Sequence, residues 1–229
     1  MSVTILSNGN NITKEKDMGK SVYSLLLNDE VVDLIDKMAR INGMSRSNMV
    51  EKILADAVRY ETPEIRANVI FSEIERMLSG SPTMRYLEQP SSYMASIMSA
   101  LSYRYNPAIR YSVELFPHSS HLGQLKVTLR TQNPILIEHM SDFYSLYSVL
   151  EKKYYNENAR HIFDGVKFTR LFTFPTVPLS AKELAGHLTS FVRDFDELLS
   201  LYFSNLTNPN GFSVVEKRFL ELKSNKITI

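Results

Sequence analysis

Apolar residues recur along this chain at two periods, and the switches between them mark its elements. The run Ser21 to Leu27 alternates, so it predicts a short strand with Tyr23, Leu25 and Leu27 on one side and Val22, Ser24 and Leu26 on the other. Asn28 follows as a helix N-cap. Val31, Leu34, Ile35, Met38 and Ala39 then repeat every three or four residues, predicting a helix whose first turn carries Asp29 and Glu30, where the helix dipole favours acids. Gly43 ends it, as a residue able to take positive φ. Two residues on, Ser45 caps a second helix with the stripe Met49, Val50, Ile53, Leu54 and Val58.

A boundary follows near residue 60, and the pattern from 61 to 229 predicts a second, helix-rich α+β domain with a small antiparallel sheet. Thr62-Pro63-Glu64 opens a helix that runs to about Ser79, before Gly80. A further helix is expected near Ser92 to Tyr103. Ile109, Tyr111, Val113 and Leu115 alternate, as do Leu125, Val127 and Leu129, which predicts two neighbouring strands joined through Pro117 to Gly123. Asn133-Pro134 opens a long helix, apolar at 136, 140, 143, 147, 150 and 154. A third strand is expected from Val166 to Phe174. Ser180 and Glu183 form a capping box for another long helix, apolar at 184, 188, 191, 195, 198 and 202, and a last helix covers about Phe212 to Leu222. Both long helices repeat a four-three spacing, which suits either a cover over one sheet face or pairing of near-parallel helices.

Composition narrows the classes. With 44% apolar and 22% charged residues in 229, the chain can bury one good core and a small second one. It has no cysteine, which removes disulfides and thiol chemistry and fits a reducing compartment. The first twenty residues lack a signal-peptide core, and no run approaches the roughly 18 apolar residues of a membrane span, so a cytoplasmic location away from membranes is expected. Residues 1–19 are polar and read as a loose arm. The net charge of +1 gives no general attraction to nucleic acid; any such binding must come from local placement of charge.

The stretch LLLNDEVVDLIDKMARINGMSRSNMVEKIL, a strand, a cap, an acidic first turn and a Gly43-Met-Ser-Arg-Ser47 turn into a second helix, resembles the ribbon-helix-helix DNA-binding family of Arc and MetJ type over residues 20–60. The resemblance implies a homodimer or higher oligomer in which two strands pair antiparallel and enter the major groove of double-stranded DNA. The physics of the residues agrees. Forty residues bury too little by themselves, and a lone strand leaves its amides and carbonyls unpaired. Lys20, Val22, Ser24 and Leu26 would then face DNA. Ser45, Arg46 and Ser47, at a helix N-terminus with spare N–H groups, would grip a phosphate, although Ser45 also serves as an ordinary N-cap. The ribbon departs from the family in its apolar Val22 and Leu26, which can touch only thymine methyls. A register shifted by one would instead turn Ser21, Tyr23 and Leu25 outward. Over residues 1–60 eight basic residues meet eight acidic ones, so phosphate contacts must come from Lys14, Lys16, Lys20 and Arg46 locally, or else the ribbon only dimerises the chain or binds protein.

No catalytic or cofactor motif is present, and the chain does not read as an enzyme. His118 and His121 share a turn but lack the spacing of a helical metal pair; His139, His161 and His187 are scattered. Asp194, Asp196 and Glu197 read as a solvated helix face. Arg110, Lys126, Arg130 and Lys167 fall on the polar sides of their strands and form a candidate anion site for an effector or more DNA backbone, if they are not scattered solvated charges; Glu114 shares that face.

Overall fold

The computed structural model describes residues 24–58, 61–87, 89–224 and 227–229. The chain divides into two compact units, Met1–Val50 and Glu51–Ile229. Among the described residues it is a mixed α+β protein with six helices and one six-stranded antiparallel sheet.

In the first unit, α1 (Asp29–Ile41) follows Asn28, whose side chain makes no capping hydrogen bond; Asp29 and Glu30 supply the favourable charge instead. Asn42 and Gly43 end the helix, Gly43 at φ +64°, a conformation that costs a residue with a Cβ about 1–2 kcal/mol. Helix α2 (Arg46–Ala57) starts three residues after Gly43 and runs on into the second unit. Residues 24–27 form no strand within the single chain, and the expected strand residues 21–23 lie outside the described residues, as does the arm 1–19.

In the second unit, α3 (Pro63–Leu78) begins as expected, with the Thr62 hydroxyl accepting from the Ile65 N–H at 3.2 Å. The sheet contains β1 (Met84–Tyr86), β2 (Met94–Ala100), β3 (Ala108–Leu115), β4 (Gly123–Leu129), β5 (His161–Phe163) and β6 (Lys167–Phe172), in the order β1-β2-β3-β4-β6-β5. Helix α4 (Pro134–Tyr154) connects β4 to the edge strand β5; α5 (Ala181–Ser204) and α6 (Gly211–Lys223) follow β6. The strands at 109–115 and 125–129 pair in register, Tyr111 opposite Val127, and the capping box of Ser180 and Glu183 is present.

The helix expected over Ser92 to Tyr103 is instead strand β2. Its two faces are not separated by polarity. The side packed on the helices holds Ala95 and Ile97 but also Ser99, whose hydroxyl donates to Asp196, while the other side carries Met94 and Met98. With apolar residues on both sides, the period of two vanishes and three-to-four spacing appears by accident. Strands β1 and β5 are three residues long, too short to show a period.

All the helices α3 to α6 lie over one face of the sheet. Ile109, Tyr111, Val113, Leu125, Val127, Phe168 and Phe172 point into that layer and are fully buried. Helix α5 is central. Phe195 packs between Tyr111 and Phe168, and lies 4.6 Å, centroid to centroid, from Tyr147 of α4, while Phe191 meets Phe172 edge-on. Arg66 of α3 donates to the Leu179 carbonyl at 2.6 Å, which fastens the approach to α5. Two details of the helices differ from expectation. On α4, Glu151 is buried where Tyr154 was expected, and Tyr154 is exposed. On α5, Asp194 is buried and Asp196 half-buried, so they form no solvated face; α5 packs against α3, α6 and the sheet, which leaves little of its circumference to water.

Candidate nucleic-acid interface

The first unit is built around the Gly43 turn. Positive φ at Gly43 reverses the chain, with the Met44 N–H reaching the Ala39 carbonyl at 3.0 Å, and brings Ser45 to the mouth of α2. The Ser45 hydroxyl accepts from the Asn48 N–H at 3.3 Å, so it acts as an N-cap. Arg46 and Ser47 are the exposed first residues of α2, whose first turn carries no acid. A helix start of this kind leaves N–H groups without intrahelical acceptors and holds partial positive charge.

Arg46 is not idle. Its Nε donates to Asp36 Oδ1 at 2.6 Å and its Nη2 to Oδ2, a two-pronged pair between α2 and α1. The Arg46 hydrogen bond, with its charge, holds the Asp36 carboxyl below its ordinary range. Arg46 is exposed and Asp36 half-buried, so the pair is of the weak surface kind.

Of the other residues assigned to DNA, Ser24 and Leu26 are exposed, Leu26 completely, while Lys20 and Val22 lie outside the described residues. Among its described residues the unit buries only Ile35, Ala39 and Met49 of the apolar side chains. Leu25, Leu27, Val31, Leu34, Met38 and Ile41 all stand open to solvent, Ile41 at 84%. Val31, Leu34, Met38 and Ile41 follow one another at helical spacing, so they form a continuous apolar stripe along α1.

The second candidate set is drawn together by the sheet. Arg110, Lys126 and Lys167 all occupy the face opposite the helices, and Arg130 follows the end of β4. Arg110 and Lys167 stand on either side of Thr128 in one row across the strands. Lys126 is already paired: its Nζ donates to Glu114 Oε1 at 2.8 Å, and Gln124 donates to the same carboxylate at 2.5 Å. Arg85 of β1 shares this face and was missed, because a three-residue edge strand gives no parity to read.

A buried ionic network went unrecognised in the sequence. Arg170 on β6 is fully buried, its Nη2 donating to Glu151 Oε1 at 2.8 Å and its Nη1 to the Ile229 carbonyl. The other oxygen of Glu151 lies 2.7 Å from His161 Nε2. Burial pushes the Glu151 carboxyl up, but the His161 hydrogen bond and the charge of Arg170 outweigh it and hold the group below its usual range. The Arg170 guanidinium also lies over the Phe172 and Phe191 rings. Nearby, Lys223 donates to Asp194 at 3.1 Å, both buried. Asp196 accepts from Tyr111 at 2.7 Å and from Ser99 at 3.1 Å; burial outweighs these bonds and raises its carboxyl. The signal for Arg170 was its parity: it shares a strand side with Phe168 and Phe172. These groups bond one another rather than converge on an open site, the arrangement of a structural network.

Among the described residues no group of three or more His, Asp or Glu side chains is placed to hold a metal ion, and no helix is long and apolar enough to cross a membrane. Set against known proteins, the chain matches no family model, no curated protein and no solved structure.

Proposed function

We propose that this chain is a dimeric, sequence-specific DNA-binding protein, a cytoplasmic transcriptional regulator without enzymatic activity, that pairs residues 21–27 of two copies into a β-ribbon for the major groove. The observation that carries the reading is the half-core of the first unit. An apolar stripe along α1, together with Leu25 and Leu27, stands open in the single chain and is the kind of surface that a second copy covers. Beside it stands a helix N-terminus free of first-turn acids, opening with Ser45, Arg46 and Ser47, which suits a phosphate on each side of the ribbon.

A second reading has its own support. Leu26 is apolar and fully exposed at a position assigned to base contact, and Arg46 is occupied by Asp36. Both suit an interaction or assembly protein, such as an antitoxin or a plasmid or phage factor, in which the same module only dimerises. Salt separates the two. Duplex affinity of the full chain should fall steeply with added salt, and Arg46→Ala with Ser47→Ala should reduce both the affinity and the salt slope. Absence of duplex binding by the wild-type chain at low salt would select the assembly reading.

A further inference from the structure

The face of the sheet away from the helices carries a straight row of residues across five strands. In register, Arg85 of β1 stands opposite Met98 of β2, Met98 opposite Arg110 of β3, Arg110 opposite Thr128 of β4, and Thr128 opposite Lys167 of β6. Cations therefore occupy every second strand of the row. Arg85, Arg110 and Lys167 are exposed, and among the described residues none of them is in an ion pair. Four strand-to-strand steps of about 4.8 Å place Arg85 and Lys167 about 19 Å apart at the backbone. In the adjoining row Ser96 is buried, while Ser112 and Thr169 present half-buried hydroxyls on either side of one further cation, Lys126. Among the strand positions of this face Glu114 is the one carboxylate, and Lys126 neutralises it.

We infer that this open face is a second DNA-contacting surface, on which Arg85, Arg110 and Lys167 hold successive parts of a duplex backbone; the inference rests on the reading of the chain as a DNA-binding protein. Spacing and chemistry select the occupant. One small anion can meet two neighbouring cations of the row, but no single phosphate reaches across about 19 Å, whereas a polyanion does. The same distance spans five to six base pairs at about 3.4 Å of axis per phosphate of one strand. No strand position of this face is aromatic, so unpaired bases would find no platform to stack on, and the contact is with the backbone of a duplex. The Thr128 hydroxyl between the cations, and those of Ser112 and Thr169 beside them, are of the type that hydrogen-bonds phosphate oxygens without reading sequence.

The test is the salt dependence of duplex binding by the full chain. Each phosphate contact contributes about 0.9 to the slope of log affinity against log salt, so Arg85→Gln with Arg110→Gln and Lys167→Gln should lower the slope by about 2.7. The single change Arg110→Gln should lower it by about 0.9, and exchange of the three residues for Lys, Lys and Arg should leave it unchanged. Circular dichroism of each variant checks that the sheet is intact. If the wild-type chain binds duplex and Arg46→Ala with Ser47→Ala lowers its slope while the triple variant does not, the sheet surface is refuted and the DNA-binding reading stands. If the wild-type chain binds no duplex at low salt, both fall together. Binding of polyglutamate that is lost in the triple variant, with duplex binding unchanged, assigns the face to an acidic protein and overturns the inference.

Discussion

Leu34 sits in the middle of the open α1 stripe, 60% exposed in the single chain. Replacing it with alanine removes about three methylene equivalents, each contributing about 0.8 kcal/mol on full burial. If a second copy covers the exposed part, the substitution costs each copy about 1.4 kcal/mol. A two-fold interface contains the position twice, so the dimer loses about 3 kcal/mol, or about 100-fold in dissociation constant. Sedimentation equilibrium of the full chain over a range of concentrations measures it directly. Arg40→Ala, exposed on the same helix but off the stripe, should leave the constant unchanged. Equal dissociation constants for wild type and Leu34→Ala would refute the reasoning, as would a wild-type chain that stays monomeric throughout the micromolar range. Either result would show that the stripe is not the surface on which a second copy packs.

Two further outcomes concern the buried charges. Arg170→Met leaves Glu151 buried without its guanidinium and should cost about 3–5 kcal/mol in denaturant unfolding. Because the Glu151 carboxyl is depressed in the folded chain, its contribution is complete above the ordinary carboxylate pKa of about 4.3 and is lost as pH falls through the lower folded value. In that window the unfolded chain binds the extra proton, so stability should drop on acidification, and Glu151→Gln should flatten the drop. Asp196 has the opposite sign. Its carboxyl is raised, so the native state holds a proton that the unfolded chain has released, and stability falls as pH rises from about 3.9 through the folded value. Asp196→Asn should remove that fall while keeping an acceptor for Tyr111; thermal melts across pH 3 to 7 that retain it would count against the assignment.

Much of the second unit was legible because its elements carry local signals. The Thr62-Pro63 start, the Asn133-Pro134 start and the Ser180 and Glu183 box depend on residues within one turn of each other, and all three open helices as expected. Strands β3 and β4 could be read because each has one apolar side and one polar side. Strand β2 could not. Its inward Ser99 is tolerated because Asp196, 97 residues away, accepts its hydrogen bond, and no local pattern reports that partner. The same applies to Arg170 and Glu151, whose charges are affordable in the interior only as a pair. For the candidate interfaces, sequence placed Ser45, Arg46 and Ser47 at a helix start and set Arg110, Lys126 and Lys167 on the polar side of their strands. It was silent on the engagement of Arg46 with Asp36 and of Lys126 with Glu114, and on the line from Arg85 to Lys167.

What the amino-acid order determined by itself was therefore set within a few residues: the starts of α3, α4 and α5, the helix stripes, the parity of β3 and β4 and the glycine that reverses the chain at position 43. Only the tertiary structure decided the order of the six strands, which polar groups could be buried and which cations stand in one row. Those outcomes depend on pairings between residues far apart in the chain, where the free energy comes from burial and from partners that no short window contains.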